Sequence, residues 1–214
     1  MGYVKQNAHT THYMLTIKLA ALGLSYLAAT GVTDAAQPLL DDLAERSCEL
    51  VRLAVIEGNQ LTWVAKSQGA RSGLRYDPDA GLDVYLPATA NGLAWLAAVT
   101  DERALELLSQ HGMDQAKRMG PGAPQTLREV LERIDQTRQR GHATVFDAYE
   151  QGTSAMAAVV CASTHGAPIA TVSIAGPSVR MTPERMEALA PDLLACAKAL
   201  GATSGQSPLF ASVN

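Results

Sequence analysis

Three groups of residues have side chains that could do chemistry, and spacing limits each of them. Asp147 and Glu150 stand three apart in the run Asp147-Ala-Tyr-Glu150. Two such carboxylates could serve as general acid and base, although acids on a loop are more commonly solvated. Ser154 and Ser173 are nucleophiles by type alone, because no Gly-x-Ser-x-Gly elbow surrounds either. Of the five histidines (His9, His12, His111, His142 and His165), only His9 and His12 are close together. That pair lies in a polar N-terminal segment that reads as frayed, so no metal site is expected there. Walker and dinucleotide fingerprints are both lacking. Cys48, Cys161 and Cys196 sit in apolar contexts without paired spacing, which reads as buried reduced thiols in a cytoplasmic protein. This inventory allows a small-molecule pocket and names no reaction.

The elements that would position such a pocket centre on Gly141 to Leu200. Ala167 to Ala175 reads as a buried strand, Gly176-Pro177 as a turn, and Thr182-Pro183 as the N-cap and first residue of a helix. Alternation puts Ile169, Thr171, Ser173 and Ala175 on one face and Ala170, Val172 and Ile174 on the other. The first face, with its small hydroxyls, either lines a cavity or simply tolerates small residues beneath a helix. The final helix, Pro183 to Leu200, contains Pro191, where a kink is expected. Gly201 to Asn214 reads as a loose tail.

Ahead of this region the chain begins with a strand-like fragment at Tyr3 that has no evident partner. A helix follows over Leu15 to Ala29, with apolar residues on more than one side. It is either an ordinary core helix or one that packs across a subunit boundary. A second helix runs from Pro38 to Ser47. Strands Leu50 to Ile56 and Leu61 to Ala65 join through Gly58-Asn59. Residues 67 to 85 form a long irregular loop of the kind that covers a binding site. Thr89 to Val99 is a helix whose Gly92 serves either close packing or the approach of an anion to the first-turn amides. Asp101 to His111 follows. Thr126-x-x-Glu129 caps an amphipathic helix closed by Gly141, and strands His142 to Phe146 and Ser154 to Cys161 come next, then a turn at Thr164-His165-Gly166. Strands joined antiparallel, with helices before and between them, predict an α+β layer architecture.

Composition sets the outer limits. The 214 residues are 47% hydrophobic and 18% charged, enough for one sizeable core, and no run is long and apolar enough for a membrane span. The 17 Lys and Arg are scattered among 21 acids for a net charge of −4. A grip on nucleic acid needs a basic stripe, which these residues do not supply. The polar N-terminus does not read as a signal peptide.

Several spaced motifs together resemble the IclR family of bacterial transcriptional regulators. They are Gly2-Tyr3-Val4, Tyr13-x-Leu15, Leu22-Gly23, Leu86-Pro-Ala-Thr-Ala-Asn-Gly-Leu-Ala-Trp-Leu-Ala97, Arg140-Gly-His-Ala143 and Ser173-Ile-Ala-Gly-Pro-Ser-Val-Arg-Met-Thr-Pro-Glu-Arg185. The resemblance implies a GAF-like (profilin-like) fold, with an antiparallel sheet and flanking helices. It implies residues 1–34 as the end of a wing and a linker or dimerisation helix, 35–201 as an effector-binding domain and 202–214 as a flexible tail. It also implies a homodimer or dimer of dimers, with operator DNA bound only through a winged helix-turn-helix expected to be absent from this chain. No cofactor, metal or enzymatic activity is implied.

Carried over position by position, the effector site would comprise Gly73, Tyr76 and Val84 from the long loop and the amides of Ala90 and Asn91. The sheet would add Val145, Thr153, Ala155, Ser173 and Ala175. The chain departs from members that bind small keto acids, which tend to carry an acid, a Cys and two Ser where Val145, Ala155, Ser173 and Ala175 stand. Those departures predict a roomier, more apolar pocket for a small carboxylate, aromatic rather than tiny, with Arg75 as a candidate counter-charge. The expected function is therefore the sensing and oligomerising domain of a regulator of a catabolic operon. The alternatives are an enzyme using Asp147 and Glu150, and an oligomerisation module with a closed core.

Overall fold

The computed structural model describes residues 2–78, 83–163 and 166–206. Along the chain come β1 (Val4–Gln6), β2 (Tyr13–Leu15), α1 (Ile17–Thr30), α2 (Val32–Ser47), β3 (Leu50–Glu57) and β4 (Gln60–Gln68). They are followed by α3 (Ala90–Ala97), α4 (Asp101–His111), α5 (Leu127–Arg140), β5 (Ala143–Phe146), β6 (Thr153–Cys161), β7 (Pro168–Pro177) and α6 (Pro183–Thr203). Strands β3 to β7 form one sheet in the order β4-β3-β7-β6-β5, antiparallel throughout. The architecture is α+β, as the strand and helix order predicts.

Alternation along the strands divides the sheet into two faces. Val51, Leu53 and Val55 of β3, with Val172 and Ile174 of β7, pack on one side against Leu40 and Leu43 of α2 and Met186 and Leu193 of α6. Ala54 and Ile56 of β3, with Ala157 of β6, face the opposite core, which holds Leu93 and Trp95 of α3, Leu107 of α4 and Ile134 of α5. The sheet thus lies between two helical layers, each closed by apolar burial.

The register puts Arg52 opposite Ser173, and Ser173 opposite Ala157, while Leu50 and Ala155 both face Ala175. A bulge in the β3–β4 pairing between Leu53 and Ala54 sets Trp63 opposite Ala54. These registers bring Arg52 and Trp63 to the face that carries Ser173 and Ala175.

Several local expectations are corrected. The fragment at Tyr3 is not an orphan: β1 pairs with β2, and Val4 faces Leu15. Leu15 therefore belongs to a hairpin, and α1 starts at Ile17. Helix α2 begins at Val32 and runs through Pro38, so this proline is internal and not at the first helical position. Gly176 and Pro177 are not a turn but the end of β7, paired with Ser154 and Thr153. The turn comes next, where the N–H groups of Arg180 and Met181 both donate to the Pro177 carbonyl. Ile169 packs with the α2–α6 core and not on the small-residue face.

The caps are largely as read. Thr182 accepts from the Arg185 N–H, and Thr126 accepts from the Glu129 N–H. The returning carboxylate of Glu129 takes the Gln125 N–H at 2.7 Å, one residue earlier than a standard capping box. Helix α6 continues through Pro191 to Thr203, and Ser204–Gln206 adds a 3-10 turn, so the chain stays ordered beyond Gly201. The rest of the expected tail (207–214), residues 79–82 of the long loop and Thr164-His165 of the turn lie outside the described residues.

Candidate functional site

The sheet face opposite α2 and α6 is closed over most of its area by α3 and α5, but a cleft remains at the start of α3. Three contacts set that start. Thr89 Oγ1 accepts from the Gly92 N–H at 3.0 Å and donates to the Tyr85 carbonyl at 2.9 Å. Gly92 packs directly on Leu86, where a Cβ would overlap the Leu86 backbone, so its role is close packing. Asn91 Nδ2 donates to Thr171 Oγ1 at 2.9 Å, a buried bond that pins the helix start to β7. The first-turn N–H groups of Ala90 and Asn91 have no acceptor within their helix.

Seven of the ten residues expected at the site line this cleft: Tyr76, Ala90, Asn91, Val145, Thr153, Ala155 and Ala175. Gly73 does not. It is an exposed loop residue at φ 76°, a left-handed conformation suited to glycine. Val84 also falls outside, because its N–H is bonded to the Leu61 carbonyl and its side chain is buried in the α3–α5 core. Ser173 is fully buried beside the cleft, opposite Arg52, and its hydroxyl has no hydrogen-bond partner.

Sequence reasoning missed Arg52, Trp63 and Tyr149, which complete the lining together with Thr89 and Ser154. Arg52 is 7% exposed. Its guanidinium carbon lies 3.9 Å from the centre of the Trp63 ring and 5.8 Å from that of Tyr76. Trp63 in turn meets Tyr149 edge to face at 6.3 Å. An arginine inside a strand reads as a solvent-facing residue. Only the β4 bulge and the return of the long loop show that two rings cover it.

The electrostatics follow from this enclosure. Burial pushes the Arg52 guanidinium below its ordinary value, and the neighbouring Tyr76 and Tyr149 partly offset that effect. Burial likewise raises the Tyr76 phenol, with Arg52 opposing the shift. Among the described residues no Asp or Glu lines the cleft. The free space amounts to about 20 Å³, room for one water. The roomy apolar cavity expected from the sequence is therefore corrected: the Arg52 side chain, stacked on Trp63, occupies the site. Arg75 is not its counter-charge, since it is exposed and paired with Asp77 at 3.4 Å.

Neither residue of the carboxylate pair is presented as a catalyst. Asp147 Oδ1 accepts from the Gly152 N–H at 2.7 Å and from Ser178 Oγ at 2.9 Å, holding its loop against the β7 turn. Glu150 is exposed. A larger depression of about 500 Å³, bordered by Glu45, Cys48, Arg71 and Arg180, is shallow and open to water. It lacks the enclosure that binding of a small molecule requires.

A loop covers the cleft, and side-chain bonds from the sheet and from the β7–α6 turn tie it down. Gln68 Nε2 donates to the Tyr76 carbonyl at 3.0 Å, Lys66 pairs with Asp77 at 2.6 Å, and Arg180 donates to the Leu74 carbonyl at 2.9 Å. Arg180 is itself held by the buried carboxylate of Glu49, at 2.6 and 2.9 Å. The loop is thereby joined to the turn that leads into α6.

Comparison with known proteins shows the family and the fold. Residues 24–202 match the family described as bacterial transcriptional regulator IclR, C-terminal. The chain is 27% identical over 186 residues to the transcriptional repressor IclR of Escherichia coli K12, covering 86% of this chain and 66% of that protein. It is 26% identical over 201 residues to the Pca regulon regulatory protein of Pseudomonas putida, covering 94% of this chain and 67% of that one. The chain thus spans about two thirds of the length of these relatives. The crystal structure of Thermotoga maritima IclR superposes with a TM-score of 0.79 at 25% identity, over 94% of this chain and 79% of that one. The family match covers most of the chain, and the sheet and its helices are those of the solved relative: this protein belongs to the IclR family of bacterial transcriptional regulators, within its C-terminal domain.

Proposed function

We propose that the chain is the ligand-sensing and oligomerising part of a cytoplasmic IclR-type regulator of a catabolic operon, and that its effector is a small carboxylate, aromatic by preference. Residues 35–201 form the effector-binding unit in this reading, and residues 1–34 the hairpin and linker helix through which copies associate as a dimer or a dimer of dimers. Operator contacts are assigned to a DNA-reading domain outside these residues, because 17 Lys and Arg scattered among 21 acids form no basic stripe.

The observation that carries the reading is the enclosed cleft at the start of α3. Strands β3 to β7, the start of α3, the covering loop and the β5–β6 loop build it, the rings of Trp63, Tyr76 and Tyr149 wall it, and no carboxylate of the described residues lines it. Such a site favours an anion with a flat apolar body. Effector binding requires Tyr76 to yield space, so ligand and covering loop move together. The loop's tie to Arg180 passes that movement to the β7–α6 turn.

The test is a titration with a panel of aromatic acids, following the fluorescence of Trp63 and Trp95 and assaying the acids for turnover. Saturable change without product is expected. Product formation would replace the sensor with an enzyme, and silence across the panel would leave an oligomerisation module.

A further inference from the structure

Two charged residues are fully buried among the described residues, Glu49 and Arg52. They are treated in opposite ways. Glu49 is matched by Arg180 through two hydrogen bonds. Arg52, three residues further on and inside β3, forms no ion pair among the described residues; the Tyr76 hydroxyl is a polar neighbour of its guanidinium, but its Nε–H has no hydrogen-bond partner. Native interiors leave few polar atoms unmatched, and an unmatched buried charge is the least tolerated of them.

Two of the other four unmatched atoms fall in the same place. Five buried side-chain polar atoms lack a partner among the described residues: Arg52 Nε, Trp63 Nε1, Ser173 Oγ and the two ring nitrogens of His142. The first three belong to residues in direct contact or in direct register, since Arg52 stacks on Trp63 and faces Ser173 across β3 and β7. His142 lines a different cavity, at the end of α5. Arg52 Nε and Trp63 Nε1 can only donate, and a serine hydroxyl also donates readily. Three polar atoms able to donate and left without a partner, gathered where no carboxylate of the described residues lies, have the composition of a site whose acceptor arrives with a ligand.

Stacking engages the face of Arg52 and leaves its Nε–H unpaired. A cation–π contact engages the face of the guanidinium, whereas paired hydrogen bonds to an oxyanion use its edge in the same plane. Resting on Trp63, the group is preorganised for bidentate recognition and loses little rotamer freedom on binding. Building on the sensor reading above, we propose that Arg52 is the residue that recognises the acid group of the effector, with Ser173 as a neighbouring donor and Trp63 as the platform that orients it. The acid group then lies on the β3–β7 side of the cleft, away from the first-turn amides of α3. The apolar body of the ligand points toward Val145 and Ala155. A single cation among methyl and ring surfaces matches a monocarboxylate better than a phosphate or sulfate.

The experiment uses the whole chain carrying Trp95→Phe, so that Trp63 is the only tryptophan. Thermal unfolding and Trp63 emission are followed against sodium benzoate, against benzamide as its neutral counterpart, and against sodium sulfate at matched ionic strength. Benzoate is expected to raise the unfolding temperature and shift the emission saturably. Benzamide should bind at least about tenfold more weakly, and sulfate should not saturate.

In Arg52→Met the benzoate affinity should fall about a hundredfold, while the ligand-free variant melts at the same temperature as its parent or higher. An Arg52 that is merely structural predicts the opposite, a lower melting temperature with benzoate binding kept. If benzoate, phenylacetate and pyruvate all leave the parent chain unchanged, the sensor reading fails along with this one. If the parent and Arg52→Met respond alike, the assignment of Arg52 alone is overturned. Should Arg52→Met not fold, Arg52→Lys and Ser173→Ala decide the matter, and unchanged benzoate affinity in both removes Arg52 and Ser173 from the acid site.

Discussion

Glu49 and Arg180 show how a single residue pair can serve both stability and signalling. Glu49 is buried at the start of β3, and Gly176 lies so close that any Cβ there would overlap the carboxylate. The Gly176-Pro177 sequence thus makes room for the ion pair and does not form a turn. Removing Arg180 leaves a buried carboxylate unmatched and frees the Leu74 carbonyl. Arg180→Ala is expected to cost about 2–3 kcal/mol in urea unfolding, below the range for fully buried pairs because Arg180 is partly solvated. Combining it with Glu49→Gln should recover part of that loss, the mark of a direct pair. Two destabilisations that simply add would show that the two residues act separately. Legibility at this scale was uneven. Small residues such as Ala155 and Ala175 could be placed at the site because strand alternation and the family motif agree. Arg52 could not, because its burial depends on Trp63, displaced by a bulge, and on Tyr76, which returns from an irregular loop. No local pattern records either event.

Helix α1 is the element least explained by the chain's own packing. Thr30 is its only buried residue, while Ile17 is 81% and Leu24 68% exposed. Those two lie seven apart and share a face, with Tyr13 and Leu15 of the adjoining hairpin exposed beside them. Contiguous apolar surface of this kind is a mark of an interface. The double substitution Ile17→Glu and Leu24→Glu is expected to reduce the native mass to that of a single chain, 22.6 kDa, with the circular dichroism of the sheet domain unchanged. A variant that keeps the mass of its parent, or a parent already monomeric, would remove α1 from the interface. The apolar character of α1 was plain in the sequence, and so were the hairpin at Gly58-Asn59 and the caps at Thr126 and Thr182. Besides the N-terminal hairpin and the face of Ile169, the elements misjudged were those in which proline or glycine was taken as punctuation. Pro38 lies inside α2 and Pro177 ends β7, each tolerated because tertiary packing outweighs local preference.

At the scale of the molecule, the sheet separates two tasks. One face is sealed by α2 and α6 into an apolar core. The other carries the cleft at the start of α3, lined by Arg52, whose Nε–H is unmatched, and by three aromatic rings. The covering loop ties that cleft through Arg180 to the turn before α6, which packs on α2, the helix that follows α1. An effector that lifts Tyr76 therefore acts on a connected series of contacts leading toward the exposed helix. The division into faces was legible from alternation, whereas the small volume of the cleft was not, since it depends on where one long side chain rests. The most direct test of the account is a crystal structure of the protein grown in a saturating aromatic monocarboxylate such as benzoate. The account predicts one molecule per chain in the cleft, its carboxylate on the edge of Arg52 and Tyr76 moved outward from the ring contact seen here. A cleft still covered by Tyr76, with the acid bound elsewhere or not at all, would contradict it.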